Sequence, residues 1–106
     1  MQNYLVNMGQ MSSGIYRAYV IKRGDYRCFI PGLMNKNILN DSGQLDLDIY
    51  DKIKETLPRA LFNSEAIKNL VDEDKAISCL VVFENGNNNN PRVMGFFGNS
   101  VKSVGG

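Results

Sequence analysis

Residues 15–30, IYRAYVIKRGDYRCFI, constrain the fold more than any other stretch of the sequence. Aromatic and β-branched residues, which favour strands, occupy both halves of this stretch, and Gly24 provides a tight turn between them. Pro31 ends the second half. We therefore predict a β-hairpin whose first strand has two faces, because side chains alternate across a strand. One face carries Tyr16, Ala18 and Val20, and the other carries Ile15, Arg17, Tyr19 and Ile21.

A second pair of strand-like runs lies near the end of the chain. Residues 76–84, AISCLVVFE, are apolar on both faces, which predicts a strand that is central in its sheet or covered on both sides. Residues 91–98, PRVMGFFG, begin with a proline at a position where no ladder hydrogen bond is required. The asparagines at 87–90 tolerate left-handed backbone and bond their own chain, so we interpret them as the connector of a second hairpin.

Between the two hairpins the apolar period becomes helical. Asp46 or Asp48 can cap a first helix, which Pro58 ends. A second, shorter helix is predicted to begin at a cap formed by Asn63 or Ser64. The positions expected to face inward are Ile49, Tyr50, Ile53 and Leu57 in the first helix and Ile67, Leu70 and Val71 in the second.

This order of elements predicts a mainly β fold with a helical insertion, in the form of a small OB-like Greek-key β-barrel. An SH3-like barrel or another α+β sandwich also fits the pattern. We assign residues 14–98 to the barrel, with the insertion at about residues 46–72. Residues 1–13 are interpreted as an N-terminal segment, and residues 99–106 as a C-terminal tail or linker.

The composition argues against several classes of function. The 106 residues include no histidine, so the commonest general base and the commonest metal ligand are both missing. Neither a P-loop nor a GxGxxG motif occurs. We therefore predict a protein that is not an enzyme and that has no catalytic residue, no cofactor and no metal site.

The cysteines and the N-terminal residues bear on the cellular compartment. Cys28 and Cys79 each lie in an apolar run, and we interpret them as buried, reduced thiols. A disulfide between them would require neighbouring strands. No apolar run reaches the roughly 18 residues of a membrane span, and the N-terminal residues lack the regions of a signal peptide. The sequence predicts synthesis in the cytoplasm and no membrane insertion by this chain.

The first hairpin also suggests an alternative function. OB barrels often bind oligonucleotides, and a face for single-stranded nucleic acid interleaves aromatic with basic residues. Such residues are concentrated in this hairpin: Tyr16, Arg17, Tyr19, Lys22, Arg23, Tyr26, Arg27 and Phe29. The net charge of the chain is only +1, which argues against a nucleic-acid partner.

Residues 72–98, DEDKAISCLVVFENGNNNNPRVMGFFG, resemble an OB-fold module of phage tail spike and baseplate hub proteins. Modules of this family have a polar approach, a strand, a loop with glycine, a proline and a closing strand with glycine. The corresponding parts here are residues 80–84, residues 85–90, Pro91 and residues 93–95. The opening YRAYVIKRGDYRCFIPGL is similar to the first hairpin of such modules, which include the N-terminal domain of tail-associated lysozymes and relatives in contractile injection spikes.

This resemblance implies a structural role in a phage tail. Modules of the family trimerise about the tail axis and join the hub to a spike or to a cell-wall hydrolase domain. The resemblance thus implies a homotrimer in the virion, with other tail or baseplate proteins as partners. Because neighbouring side chains of a strand point to opposite faces, the pair Phe96 and Phe97 cannot both enter one core. We expect an interface or ligand face at Arg17, Tyr19, Tyr26, Arg27, Phe96 and Phe97.

Overall fold

The structure is a computed structural model that describes residues 14–83 and 90–105. It is mainly β, with 45% strand and 16% helix, and so confirms the predicted fold class. Most of the asparagine connector lies outside the described residues. A short 3-10 turn, Lys54–Thr56, follows the first helix. The elements in chain order are β1 (Ile15–Arg23), β2 (Asp25–Phe29), β3 (Leu45–Asp46), α1 (Leu47–Ile53), β4 (Leu61–Phe62), α2 (Glu65–Lys68), β5 (Lys75–Val82), β6 (Arg92–Val101) and β7 (Ser103–Val104).

The first hairpin forms as predicted. Strands β1 and β2 pair antiparallel, and Arg23 lies opposite Asp25 across the turn. Gly24, the single residue between the strands, has a φ of +82°. This left-handed backbone is easily reached by glycine but strained for residues that carry a Cβ. The turn therefore depends on glycine at this position.

Substitution of Gly24 by alanine should lower the free energy of unfolding by about 1 kcal/mol, measured by urea denaturation. An added Cβ would meet nothing within 4 Å, so backbone strain alone accounts for the loss. Gly32→Ala is the matched control, because that Cβ also meets nothing and the backbone there is not left-handed. The control should stay within about 0.5 kcal/mol of the wild type. Equal effects of the two substitutions would contradict this explanation.

Five strands form one curled sheet, a half-barrel, in the order β2-β1-β5-β6-β4. Strand β5 lies between β1 and β6 and is antiparallel to both, which confirms its predicted central position. Strand β4 is parallel to β6. This order and this parallel pair agree with the predicted Greek-key barrel of the OB type.

The segment of residues 58–62, which we call the closing segment, contacts both edges of the curled sheet. On the β2 edge, Cys28 N–H donates to the Pro58 carbonyl at 2.9 Å, and Ala60 N–H donates to the Tyr26 carbonyl at 2.9 Å. On the β6 edge, Leu61 N–H donates to the Pro91 carbonyl at 2.9 Å, just before β4 pairs with β6. A single short segment therefore links the two edge strands and satisfies backbone groups that they would otherwise expose.

Two apolar clusters cover opposite faces of the sheet. Neighbouring residues such as Val20 and Ile21 belong to different clusters, and both are fully buried. The inner cluster contains Ala18, Val20, Cys28, Ile30, Val71, Ile77, Cys79, Val81, Phe83 and Val93. The outer cluster contains Ile21, Phe29, Ile38, Leu45, Leu47, Tyr50, Leu57 and Ala76. The insertion thus provides a second core, which packs on the outside of the sheet.

Both predicted helices form and have the predicted caps. The Asp46 carboxylate accepts a hydrogen bond from Ile49 N–H at 3.1 Å, and the Ser64 hydroxyl accepts one from Ile67 N–H at 3.2 Å. Ile67 packs against the inner cluster as expected. The predicted inward positions of Ile49 and Leu70 are wrong, since their side chains are 38% and 60% exposed. Helix α2 ends at Lys68, so the helical period no longer applies to Leu70.

The chain continues in regular structure beyond residue 98. Strand β6 extends to Val101, and β7 pairs in parallel with β3. Leu45 N–H donates to the Lys102 carbonyl at 2.8 Å. The described part of the predicted tail therefore belongs to the fold. Its strand character was hidden because Gly98, with a φ of +86°, interrupts the two-residue alternation of β6.

Candidate functional site

The outer cluster leaves one end of the outer sheet face open. On that face Ile15 lies opposite Val82, and Arg17 lies opposite Leu80. Ile15 is 68% exposed, and Phe97, on β6, is 39% exposed. We call the surface formed by Ile15, Arg17, Leu80, Val82 and Phe97 the open sheet face. It spans three adjacent strands and is mostly apolar, which is typical of a surface that contacts another molecule.

Arg17 and Phe97 form the centre of the open sheet face. The Arg17 guanidinium carbon lies 4.4 Å from the centroid of the Phe97 ring, within the range of a cation–π contact. Phe97 reaches this position because of a register shift between β5 and β6. Ile77 pairs with Ser100 and Cys79 pairs with Phe96, so one residue of β5 lies opposite three residues of β6. Such bulges redirect side chains and are frequent beside functional sites.

The open sheet face borders an unpaired edge of β1. Pairing between β1 and β2 begins with Tyr19 opposite Phe29, so no described strand lies beside residues 15–18 on that edge. A cavity of about 320 Å³ opens at the same place, and Tyr19, Pro31, Gly32 and Ser78 contribute to its lining. An exposed apolar face next to a free strand edge is well suited to pairing with another chain.

Arg27 does not lie on an accessible face, which corrects its assignment as an interface residue. The residue is only 7% exposed. Its Nε donates to Asp25 Oδ2 at 3.0 Å, and its Nη1 donates to the carbonyls of Leu57 at 2.8 Å and Lys54 at 3.2 Å. Arg27 therefore holds the end of the helical insertion against β2 and has no free face for a partner.

The remaining candidates are divided between the two faces of the sheet. Arg17, Tyr19 and Phe97 lie together on the outer face. Phe96 and Tyr26 pack against the inner cluster, on the opposite side. Phe96 points inward and Phe97 contacts Arg17 of β1 on the outer face, which agrees with the alternation of side chains along a strand.

The eight hairpin residues predicted as a nucleic-acid face do not form one surface. Phe29 is only 2% exposed and belongs to the outer cluster. Arg23 Nε bonds Asp51 at 2.7 Å, and Arg23 Nη1 bonds Asp74 at 2.8 Å. These contacts raise the pKa of Arg23 above its usual value and lower the pKa of Asp51. Arg23 is therefore already neutralised by this chain.

A second cavity, of about 350 Å³, lies between β2, the closing segment and α2. Tyr26 and Phe62 form an edge-to-face pair there, with ring centroids 5.2 Å apart. Lys68 Nζ lies 5.2 Å and Lys22 Nζ 5.5 Å from the Tyr26 ring centroid. We call this the aromatic–cationic cavity. Sequence reasoning missed Phe62 and Lys68, because they stand in short elements of the insertion with no motif of their own.

Both thiols lie in the inner cluster and are free, as predicted. Burial raises the pKa of Cys79 to about 12 and raises that of Cys28 well above its usual value. Their strands, β5 and β2, are separated by β1. Buried thiols that stay protonated are poor nucleophiles, so their role is packing.

Comparison of the chain with protein-family models, with curated proteins and with solved structures gives no match. Within residues 14–83 and 90–105, no group of three or more His, Cys, Asp and Glu side chains is placed to hold a metal ion. Among the helices of this part of the chain, none has the length and apolar character needed to cross a membrane. The class supported by the fold is a small, mainly β protein with a curled half-barrel sheet.

Proposed function

We propose that this chain is a structural module that assembles with copies of itself through the open sheet face, as part of a phage tail baseplate hub or spike. The observation that carries the proposal is the uncovered apolar end of the outer sheet face. Association would bury Ile15 and Phe97, which are exposed on β1 and β6 of the same sheet face, and full burial of such a side chain is favourable by about 1.5–3 kcal/mol.

The chemistry of the open sheet face suits an interface between proteins. Aromatic and arginine side chains are enriched at the centres of interfaces, and the stacked pair of Arg17 and Phe97 provides one of each. Stacking holds the long arginine side chain in one place, so less conformational entropy is lost on association. Leu80 and Val82 surround the pair with apolar surface.

The place of the module in a tail is supported by the resemblance of its two hairpins to those of hub and spike modules. The OB-type strand order is compatible with that family. In this proposal the chain forms a homotrimer in the virion and joins the hub to a spike or to a cell-wall hydrolase domain. Other tail or baseplate proteins are then its remaining partners.

Light scattering coupled to size-exclusion chromatography tests the assembly step. The wild type should have about three times the 11.9 kDa mass of one chain. Phe97→Lys places a charge at the centre of the open sheet face and should weaken association by at least about tenfold. Leu70→Lys is the matched control: Leu70 is 60% exposed but lies beyond α2, outside this face, and the substitution should leave the mass unchanged.

A monomeric wild type would contradict the proposal, as would an equal response of the two variants.

The alternative function is an OB protein that binds single-stranded nucleic acid, now through Arg17, Tyr19 and Phe97 rather than the whole hairpin. Bases stack on aromatic rings, and the affinity of such binding falls with salt. A monomer that binds a labelled oligonucleotide, and loses it on Arg17→Ala or Tyr19→Ala, would replace the assembly proposal with this one.

A further inference from the structure

We propose that the aromatic–cationic cavity binds an oxyanion, a carboxylate or a phosphate, carried on a flat apolar group. The site goes beyond the assembly function and stands on separate observations. Its aromatic residue Tyr26 packs on the inner cluster, whereas the open sheet face lies on the outer side of the sheet. The cavity, at about 350 Å³, falls in the range of small-ligand sites.

The floor of the cavity is apolar and has defined geometry. The rings of Tyr26 and Phe62 are 5.2 Å apart at an interplanar angle of 77°. Leu61 and Ala60, from the closing segment, extend the same lining. Aromatic groups pack on such rings in offset-stacked or edge-to-face geometry, so the floor suits a flat aryl or nucleobase group.

Basic groups surround this floor, and their ion pairs are long. Arg59 Nη2 lies 3.9 Å from Asp25 Oδ2, which already accepts from Arg27 at 3.0 Å. Lys68 Nζ lies 3.9 Å from a Glu65 carboxylate that is 80% exposed. Neither distance is short enough for a hydrogen bond. Arg59 and Lys68 therefore retain donors that an incoming oxyanion can use.

The charges around the cavity also favour an anion. The charged residues that line the cavity, Asp25, Arg59, Glu65 and Lys68, balance one another, and Lys22, beside the Tyr26 ring, adds one positive charge. Arg27 is matched by Asp25 and Glu55. Arg59 approaches the same Asp25 carboxylate only at 3.9 Å, and Lys68 approaches the exposed Glu65 at 3.9 Å. Lys22 and Lys68 both lie near the Tyr26 ring, and an anion bound in the cavity would offset these like charges.

Binding can be measured by calorimetry with phenyl phosphate, benzoate and benzylamine as probes. Both anions share the flat group, and the one that binds more tightly identifies phosphate or carboxylate as the natural head group. Benzylamine has the same ring and the opposite charge, so it should bind at least about tenfold more weakly. Saturable binding of either anion, weakened by added salt, is the expected result.

Variants locate the site. Lys68→Ala and Arg59→Ala should each weaken binding of the better anion about tenfold. Lys52→Ala, which removes an exposed lysine from α1, should have no effect and is the matched control. Absence of saturable binding by both anions would overturn the proposal. So would benzylamine binding as tightly as the anions, or unchanged affinity in both cavity variants.

Discussion

Substitution of Arg27 by leucine is expected to lower the free energy of unfolding by about 3–5 kcal/mol. The guanidinium is 7% exposed and donates to the Leu57 carbonyl at 2.8 Å and to Asp25 at 3.0 Å. Leucine fills much of the space but donates nothing, so a partly buried carboxylate and a buried carbonyl lose their partner. Unpaired buried groups cost more than the original contacts contributed.

Urea denaturation measures this effect as a lower midpoint with an unchanged slope. Arg59→Leu is the matched control, because Arg59 approaches the same Asp25 carboxylate at 3.9 Å but its side chain is 70% exposed. The control should change stability by no more than about 1 kcal/mol. Adding Asp25→Asn to Arg27→Leu should restore part of the loss, since the unpaired charge is then removed. Similar losses in the two single variants would refute the buried role of Arg27.

Much of the β framework could be predicted because its signals are local. The turn at Gly24 follows from residue type alone, and the structure gives that glycine the left-handed backbone it favours. The caps at Asp46 and Ser64 are equally local. Strand β5 was placed centrally because its side chains are apolar on both faces, and its two neighbours in the sheet explain that pattern.

Other elements depend on contacts that no local pattern records. Strands β3, β4 and β7 have two residues each, too few for a period to be visible. They exist because distant parts of the chain meet, as when Leu45 N–H donates to the Lys102 carbonyl. Arg27 has the sequence context of an ordinary strand arginine. Only the return of the insertion past β2 brings the Lys54 and Leu57 carbonyls to it.

The candidate site was predictable as residues but not as an arrangement. Arg17 and Phe97 lie in different hairpins, and the sequence indicates both as candidates for an interface without indicating that they touch. Their contact requires β5 to lie between β1 and β6, together with the register shift that redirects Phe97. The aromatic–cationic cavity was not predicted, because Tyr26 and Lys68 belong to β2 and α2, which are far apart in sequence and meet only in the folded chain.

Alkaline pH should destabilise the fold, over a pH range set by the pKa values of two buried thiols and one buried tyrosine hydroxyl. Cys79 has a usual pKa of 9.0 that burial raises to about 12, and burial also raises the pKa values of Cys28 and Tyr50. These groups lose their protons at a lower pH in the unfolded chain than in the folded protein, so at alkaline pH the unfolded state binds fewer protons. Ionisation then lowers the free energy of the unfolded state relative to that of the folded state. The stabilising contribution is complete below pH 9 and is lost as the pH rises toward the folded values.

Each buried thiol should make the free energy of unfolding fall by about 1.4 kcal/mol per pH unit above pH 9, and for Cys79 this decline ends near pH 12. Tyr50 adds to the decline above its usual pKa of 10.0. Urea midpoints measured across this range give the slope. Cys79→Ala removes one ionising group while leaving Cys28 and Tyr50 in place, so its slope should be shallower than that of the wild type by the contribution of one thiol. Alanine is smaller than cysteine and lowers the free energy of unfolding by an amount that does not depend on pH. Each protein is therefore compared with its own stability below pH 9, which removes this constant loss. A slope identical to that of the wild type would show that Cys79 ionises equally in the folded and unfolded states.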